Sequence, residues 1–149
     1  MAALFQWERQ GAVSLFERIQ SEGRRYSPTL QGQIREVVES VKTNLTNILN
    51  SHPGACQSAV ELGVVDFNDA VSGTFDISEK IKETIKDCIL RFEPRVSQVH
   101  ITAKSNELEP LTLFFYVELQ IMLDDIVTLT AFNIHLDNDR HYYLDLSTL

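Results

Sequence analysis

Two periods divide this chain, and together they predict an α+β fold: N-terminal helices packed on a C-terminal antiparallel β-meander. Apolar residues recur at helical spacing up to Phe92, and from Val99 onward they alternate. Between the two regimes stands Glu93-Pro94-Arg95, whose proline ends a helix by removing a backbone donor. Helices first and strands afterwards is the order of an α+β domain rather than of alternating βαβ units.

The elements follow in order. Ser14 and Glu17 have capping-box spacing ahead of a short amphipathic helix with Leu15, Phe16 and Ile19 on one side. Gly23 and the Arg24-Arg25 pair break that pattern, so residues 1–26 read as an N-terminal arm and 27–149 as one α+β domain. Ser27-Pro28 is a good helix start, a capping hydroxyl followed by a proline at the first helical position. Ile34, Val37, Val38, Val41, Leu45, Ile48 and Leu49 then form the apolar face of the longest helix, which stops before His52-Pro53-Gly54. The stretch from Ala55 to Gly73 has no sustained period but enough apolar residues to pack on a core, with a helical turn near Asp66–Val71.

Asp76 and Glu79 form a second capping-box spacing, opening a helix with Ile77, Ile81, Ile85, Cys88, Ile89 and Phe92 inward. Val99 and Ile101 mark the first strand. The clearest strand follows, with Leu111, Leu113, Phe115, Val117, Leu119 and Ile121 on one face and Phe114 and Tyr116 on the other. Asp124-Asp125 and the LDNDRH stretch read as turns around VTLTAFNIHL, and Tyr142, Leu144 and Leu146 alternate in the last strand.

Composition narrows the function. At 149 residues, with 44% hydrophobic and 23% charged residues, the chain has the make-up of one ordinary globular domain. Its longest apolar run, Leu113–Val117, is far too short to cross a bilayer, and its first residues lack the features of a signal peptide. Cys56 and Cys88 are too few for a disulfide framework, which fits a reducing cytoplasm. From Ser105 onward eight acidic residues face one basic residue, Arg140, a balance that repels a phosphate backbone and excludes nucleic acid as the expected partner.

Catalytic motifs are missing: no GxSxG, HExxH or GxxxxGK[ST] occurs. His135, Asp137, Asp139 and His141 bracket one turn, but Asp-Asn-Asp is turn chemistry, so no metal or cofactor is assigned. Cys88 lies on an apolar helix face and reads as core rather than nucleophile. Glu93 is the one carboxylate in a constrained position. As a glycosidase acid it needs a raised pKa and a second carboxylate across a cleft, and nothing in the sequence nominates the second. As a structural residue it neutralises Arg95 or accepts N–H bonds in the turn, while Arg95 donates to the open carbonyls of the helix end. Pairing with each other, exposure to water and contact with a partner all stay open at this level.

Three stretches resemble the contractile-tail baseplate wedge family, which includes the sheath-initiating protein of contractile phages and TssE of the bacterial type VI secretion system. VSLFERIQ is similar to the family's opening SL-x-ERL segment. The helix from Leu30 to Asn50 precedes an irregular, partly apolar loop. RFEPRVSQVHI holds the family's Glu-Pro-Arg signature, here Glu93, Pro94 and Arg95, between the last helix and the first strand. The loop Ala55–Gly73 departs from the family's DYGLPD character. The resemblance implies a non-enzymatic part of a contractile injection machine that joins the baseplate wedge and templates sheath polymerisation by strand addition. It implies TssF-, TssG- and TssK-like wedge proteins and sheath subunits as partners, and the bacterial cytoplasm, in a membrane-docked baseplate, as the location. Leu15, Phe16 and Arg18 in the opening segment, with Phe114 and Tyr116 on the outer strand face, are the expected partner contacts. A peptidoglycan-cleaving, lysozyme-like hydrolase and a generic cytoplasmic adaptor are the alternatives.

Overall fold

The computed structural model describes residues 29–52, 54, 74–104, 112–123 and 125–147. Two helices, α1 (Leu30–Leu49) and α2 (Thr74–Phe92), precede four strands, β1 (Val96–Lys104), β2 (Leu113–Leu123), β3 (Ile126–Leu136) and β4 (Tyr142–Leu146). The strands form one antiparallel sheet in the order β1-β2-β3-β4, which is the α+β meander expected from the two periods. The arm over 1–26, the helix at Leu15–Ile19 and the turn near Asp66–Val71 lie outside the described residues.

α1 starts later than the Ser27-Pro28 signal suggests. Thr29 is its cap: the backbone there is extended (φ −98, ψ 143) and Oγ1 accepts from the Gly32 N–H at 3.2 Å. Threonine offers the same capping chemistry as serine, two residues further on. α2 starts earlier than expected, at Thr74, so Asp76 falls inside its first turn rather than at the cap. Helix ends depend on which residues close the first turn, and apolar periodicity does not locate them.

The core lies between the helices and one face of the sheet. From α1 it takes Val37, Val38, Val41, Leu45, Ile48 and Leu49, and from α2 Ile81, Ile85, Cys88 and Ile89. Ile77 and Phe92 pack against its margin. The sheet contributes Val96 and Ile101, then Phe115, Val117, Leu119 and Ile121, then Phe132 and Ile134, and finally Tyr142 and Leu144. Each such apolar side chain stabilises the fold by about 1.5–3 kcal/mol when fully buried. α2 lies against β1, α1 against β4, and the two helices touch each other. Leu146 departs from the expected pattern: at 38% exposure it faces inward on an edge strand but stays uncovered on its outer flank. Leu111 lies outside the described residues.

Both expected hairpins are present. The β2–β3 hairpin closes at the Leu123–Ile126 pair with Asp125 in the turn, while Asp124 lies outside the described residues. The β3–β4 turn closes with the Asp137 N–H donating to the His141 carbonyl at 3.1 Å and the Arg140 N–H donating to the Asp137 carbonyl at 2.9 Å. Within this turn Arg140 has a positive φ (φ 60). A left-handed residue after the turn is the usual ending of a three-residue hairpin loop, and here arginine holds a place that favours glycine.

Asn50, just past α1, joins the helix layer to the sheet. Its Nδ2 donates to the Tyr142 carbonyl at 2.9 Å and its Oδ1 accepts from the Tyr142 N–H at 2.8 Å. One side-chain amide thus satisfies both backbone groups of the first β4 residue.

Candidate functional site

The site is the joint between α2 and β1. α2 hands its last turn over through the Glu93 N–H, which donates to the Ile89 carbonyl at 2.9 Å. The Glu93 carbonyl then accepts from the Val96 N–H at 3.1 Å, closing a four-residue turn with Pro94 at its second position. Proline is favoured there because its fixed φ suits that position. The Arg95 carbonyl accepts from the Met122 N–H at 2.8 Å, so the ladder with β2 begins within the motif itself.

Inside this turn Glu93 is fully buried and Pro94 is exposed. Glu93 Oε1 accepts from Arg95 Nε at 2.7 Å and from the Arg95 N–H at 3.3 Å. Oε2 accepts from Arg95 Nη2 at 2.8 Å and from Asn44 Nδ2 at 2.7 Å. The guanidinium thus grips the carboxylate with two parallel bonds, the strong bidentate geometry. Its Nη1 reaches across to Ser40 Oγ at 2.8 Å. Ser40 and Asn44 both sit on α1, one turn apart, and Ser40 is itself buried. Among the described residues no buried side-chain nitrogen or oxygen lacks a hydrogen-bond partner.

Burial alone pushes the Glu93 carboxyl upward, because a buried charge loses its water. The Arg95 and Asn44 hydrogen bonds, the Arg95 charge and the Arg95 N–H outweigh it, and the net displacement is downward. Glu93 is therefore an ionised acceptor held by four donors. A general acid requires the reverse, a carboxyl kept protonated near neutrality.

The other expected site residues are elsewhere. β1 begins beside Ile121 and ends beside Phe114, so the joint and Phe114 lie at opposite ends of the β1–β2 pair. Phe114 and Tyr116 face away from the helices, each half-buried. The Phe114 ring lies 6.0 Å from His135, which stacks on Tyr143 at 4.8 Å, and His141 meets Tyr143 edge-on at 4.7 Å. Lys104 Nζ sits 4.4 Å over the Tyr116 ring. The two histidines that bracket the β3–β4 turn thus pack on one tyrosine. Leu15, Phe16 and Arg18 lie outside the described residues.

Sequence reasoning missed Ser40 and Asn44. Their signal was legible: two small polar residues four apart, interleaved with Val37, Val41 and Leu45 on an otherwise apolar face. It missed Asn50 for a different reason, since an asparagine after a helix ordinarily reads as a local cap.

The chain is thus a two-layer α+β domain with an ion pair locked into its helix-to-sheet corner. Residues 35–125, more than half of the chain, match the family model described as baseplate wedge protein gp25, and the chain belongs to that family. The solved structures it resembles include the baseplate complex from the type VI secretion system, at 17% identity and a TM-score of 0.54, covering 79% of this chain and 99% of that one. Another is described as a putative tail lysozyme from Geobacter sulfurreducens, at 18% identity and a TM-score of 0.50, covering 68% of this chain and 92% of that one. At such identities the likeness shows a shared fold. No curated protein matches the chain.

Proposed function

We propose that this protein is a non-enzymatic baseplate subunit of a contractile injection machine of the type VI secretion kind. In this reading it joins the wedge through TssF-, TssG- and TssK-like proteins and offers sheet edges on which the first sheath subunits add strands. The observation that carries the reading is the Glu93–Arg95 brace. It lies inside the stretch that matches the baseplate wedge family, and it sets the direction in which β1 leaves α2. A rigid corner fixes a sheet relative to its helices, which is what a template requires. Residues 27–149 act as the wedge domain and residues 1–26, with Leu15, Phe16 and Arg18, as a contact arm. Phe114 and Tyr116 add side-chain contacts on the outer face. The protein works in the bacterial cytoplasm, in the docked baseplate; no described helix is long and apolar enough to cross a membrane.

The lysozyme-like alternative has a structural neighbour by description, but the state of Glu93 counts against it. An ionised, walled-in carboxylate has no proton to give and no face open to a sugar. The test is exchange of the native copy for Glu93→Ala and Arg95→Ala. Assembled sheaths and secretion are expected to disappear, and recovery of wedge and sheath proteins with the subunit to fall. Normal contraction in both variants overturns the proposal. Turnover of purified cell wall that is lost in Glu93→Gln restores the hydrolase.

A further inference from the structure

The two edges of the sheet are not equivalent, and the hydrogen-bond register shows why. In an antiparallel ladder alternate residues direct both backbone groups to one neighbour, while the residues between direct theirs the other way. The Ser147 N–H donates to the Ala131 carbonyl and the Asp137 N–H to the His141 carbonyl, so odd-numbered residues of β4 bond to β3. The backbone N–H and C=O groups of Tyr142, Leu144 and Leu146 are therefore directed away from β3, to the open side of the strand. The Asn50 amide takes both groups of Tyr142, leaving Leu144 and Leu146 alone on that side.

β1 differs. Past the bulge between Val96 and Gln98, register with β2 runs unbroken from Gln98 to Lys104. The odd residues of β2 are the ones that pair across its tight hairpin to β3, which closes at Leu123 and Ile126. Even residues of β2, and with them Gln98, His100, Thr102 and Lys104, bond across the β1–β2 ladder. Val99, Ile101 and Ala103 therefore direct three successive pairs of backbone groups outward, and among the described residues no strand accepts them. On the outer face of this strand Gln98, His100, Thr102 and Lys104 are exposed, and β1 contains no carboxylate in a chain of net charge −8. The outer-face carboxylate Glu118 lies one strand inward, in register with His100.

We propose that the outer edge of β1 is the strand-addition edge, and that it takes an extended segment of another polypeptide in which apolar residues alternate with acidic ones. The apolar set continues the core face beside Val99 and Ile101, and the acidic set lies beside His100 and Lys104. Asn50 closes the head of the competing edge at β4. This inference rests on the strand-addition reading above, and it adds the edge and the chemistry of the incoming strand.

Hydrogen exchange on the full chain, free and in the assembled baseplate with sheath, tests it. Amides in a peptide spanning Ser97 to Lys104 are expected to exchange at least about tenfold more slowly on assembly, the effect of bonds that each add a factor of a few. A peptide spanning Tyr143 to Ser147 is expected to be unchanged. Slowing at β4, alone or together with β1, overturns the edge assignment and leaves strand addition standing. No slowing at either edge removes strand addition itself. Two variants separate edge from chemistry. Ala103→Pro deletes one outward donor on an exposed residue, which an edge strand tolerates, and should reduce sheaths per cell about tenfold, while Leu146→Pro should not. Lys104→Glu, which alters no backbone group, should also reduce them; unchanged assembly there overturns the acidic partner. Melting curves for each variant show whether any loss comes from unfolding instead.

Discussion

The α2–β1 joint and the outer face of the sheet reverse the usual placement of residues. The joint buries a carboxylate completely and leaves its Arg95 partner 15% exposed, yet every acceptor position on Glu93 meets a donor. The outer face leaves Met122 50%, Val127 52% and Leu129 76% exposed, with no described helix over them. Charge inside is stable only when each group is satisfied, so the joint has one geometry and punishes change. Apolar groups outside bear on folding very little, so that face is free to be shaped by contact with other molecules. The same chain thus carries a rigid corner and a permissive surface, and substitutions at the two should differ sharply.

The largest effect is expected at the corner. Arg95→Ala leaves the Glu93 charge buried without its cation, and Glu93→Ala strands Arg95 and the Asn44 amide; each should cost about 3–5 kcal/mol in urea unfolding. Arg95→Lys should recover only part of this, because an ammonium cannot supply the two parallel bonds. If either alanine variant loses less than about 1 kcal/mol, the corner behaves like a solvated surface pair and the contrast collapses.

Asn44→Ala comes next. It removes one of the four donors to the carboxylate and should cost about 1–3 kcal/mol, with Ser40→Ala similar or smaller. The same carboxylate predicts a pH dependence. Its folded pKa lies below the ordinary glutamate value of 4.5, so folding favours the ionised form. That contribution is complete above the unfolded value and fades as pH falls through the folded one. Stability of the native protein should therefore drop on acidification below about pH 4.5, and Glu93→Gln should flatten that part of the profile while lowering stability at neutral pH. A Gln variant with an unchanged acid limb would move the dependence to other carboxylates.

Much of this contrast was legible in the sequence, and the reason differs by region. The buried faces of both helices and of β2 follow from period alone, because side chains on one face share one environment. Glu93 and Arg95 were visible as a pair of charges around a helix-ending proline, but whether they met, and how deeply, depends on α1. That helix lies some fifty residues earlier, where Asn44 and Ser40 reach the motif. Long-range satisfaction of polar groups leaves little local trace. Asn50 adds a second limit: its place after a helix reads as a local cap, yet its amide reaches Tyr142 far along the chain and acts as a short piece of strand. Leu129 shows the converse: its apolar character is plain in VTLTAF, yet its outward direction is set by the register with Gln120.

The smallest expected effects sharpen the contrast most. Asn50→Ala opens the Tyr142 N–H and carbonyl, which water can partly satisfy at an edge, so a loss of about 1 kcal/mol is expected, well below that of the corner variants. Leu129→Ser, on the permissive face, should change stability by no more than about 0.5 kcal/mol in either direction. Its urea midpoint and the slope of its transition should both lie close to those of the native protein, since the substitution hardly alters the surface exposed on unfolding. If Leu129→Ser instead destabilises by more than about 1 kcal/mol, this residue has a partner within the folded chain, and the outer face belongs to the core rather than to the surface. If stability is kept but sheath assembly falls, the exposed leucine acts only in the assembled machine. A residue whose loss is silent in the isolated protein and damaging in the complex is the signature that separates a contact surface from a structural one.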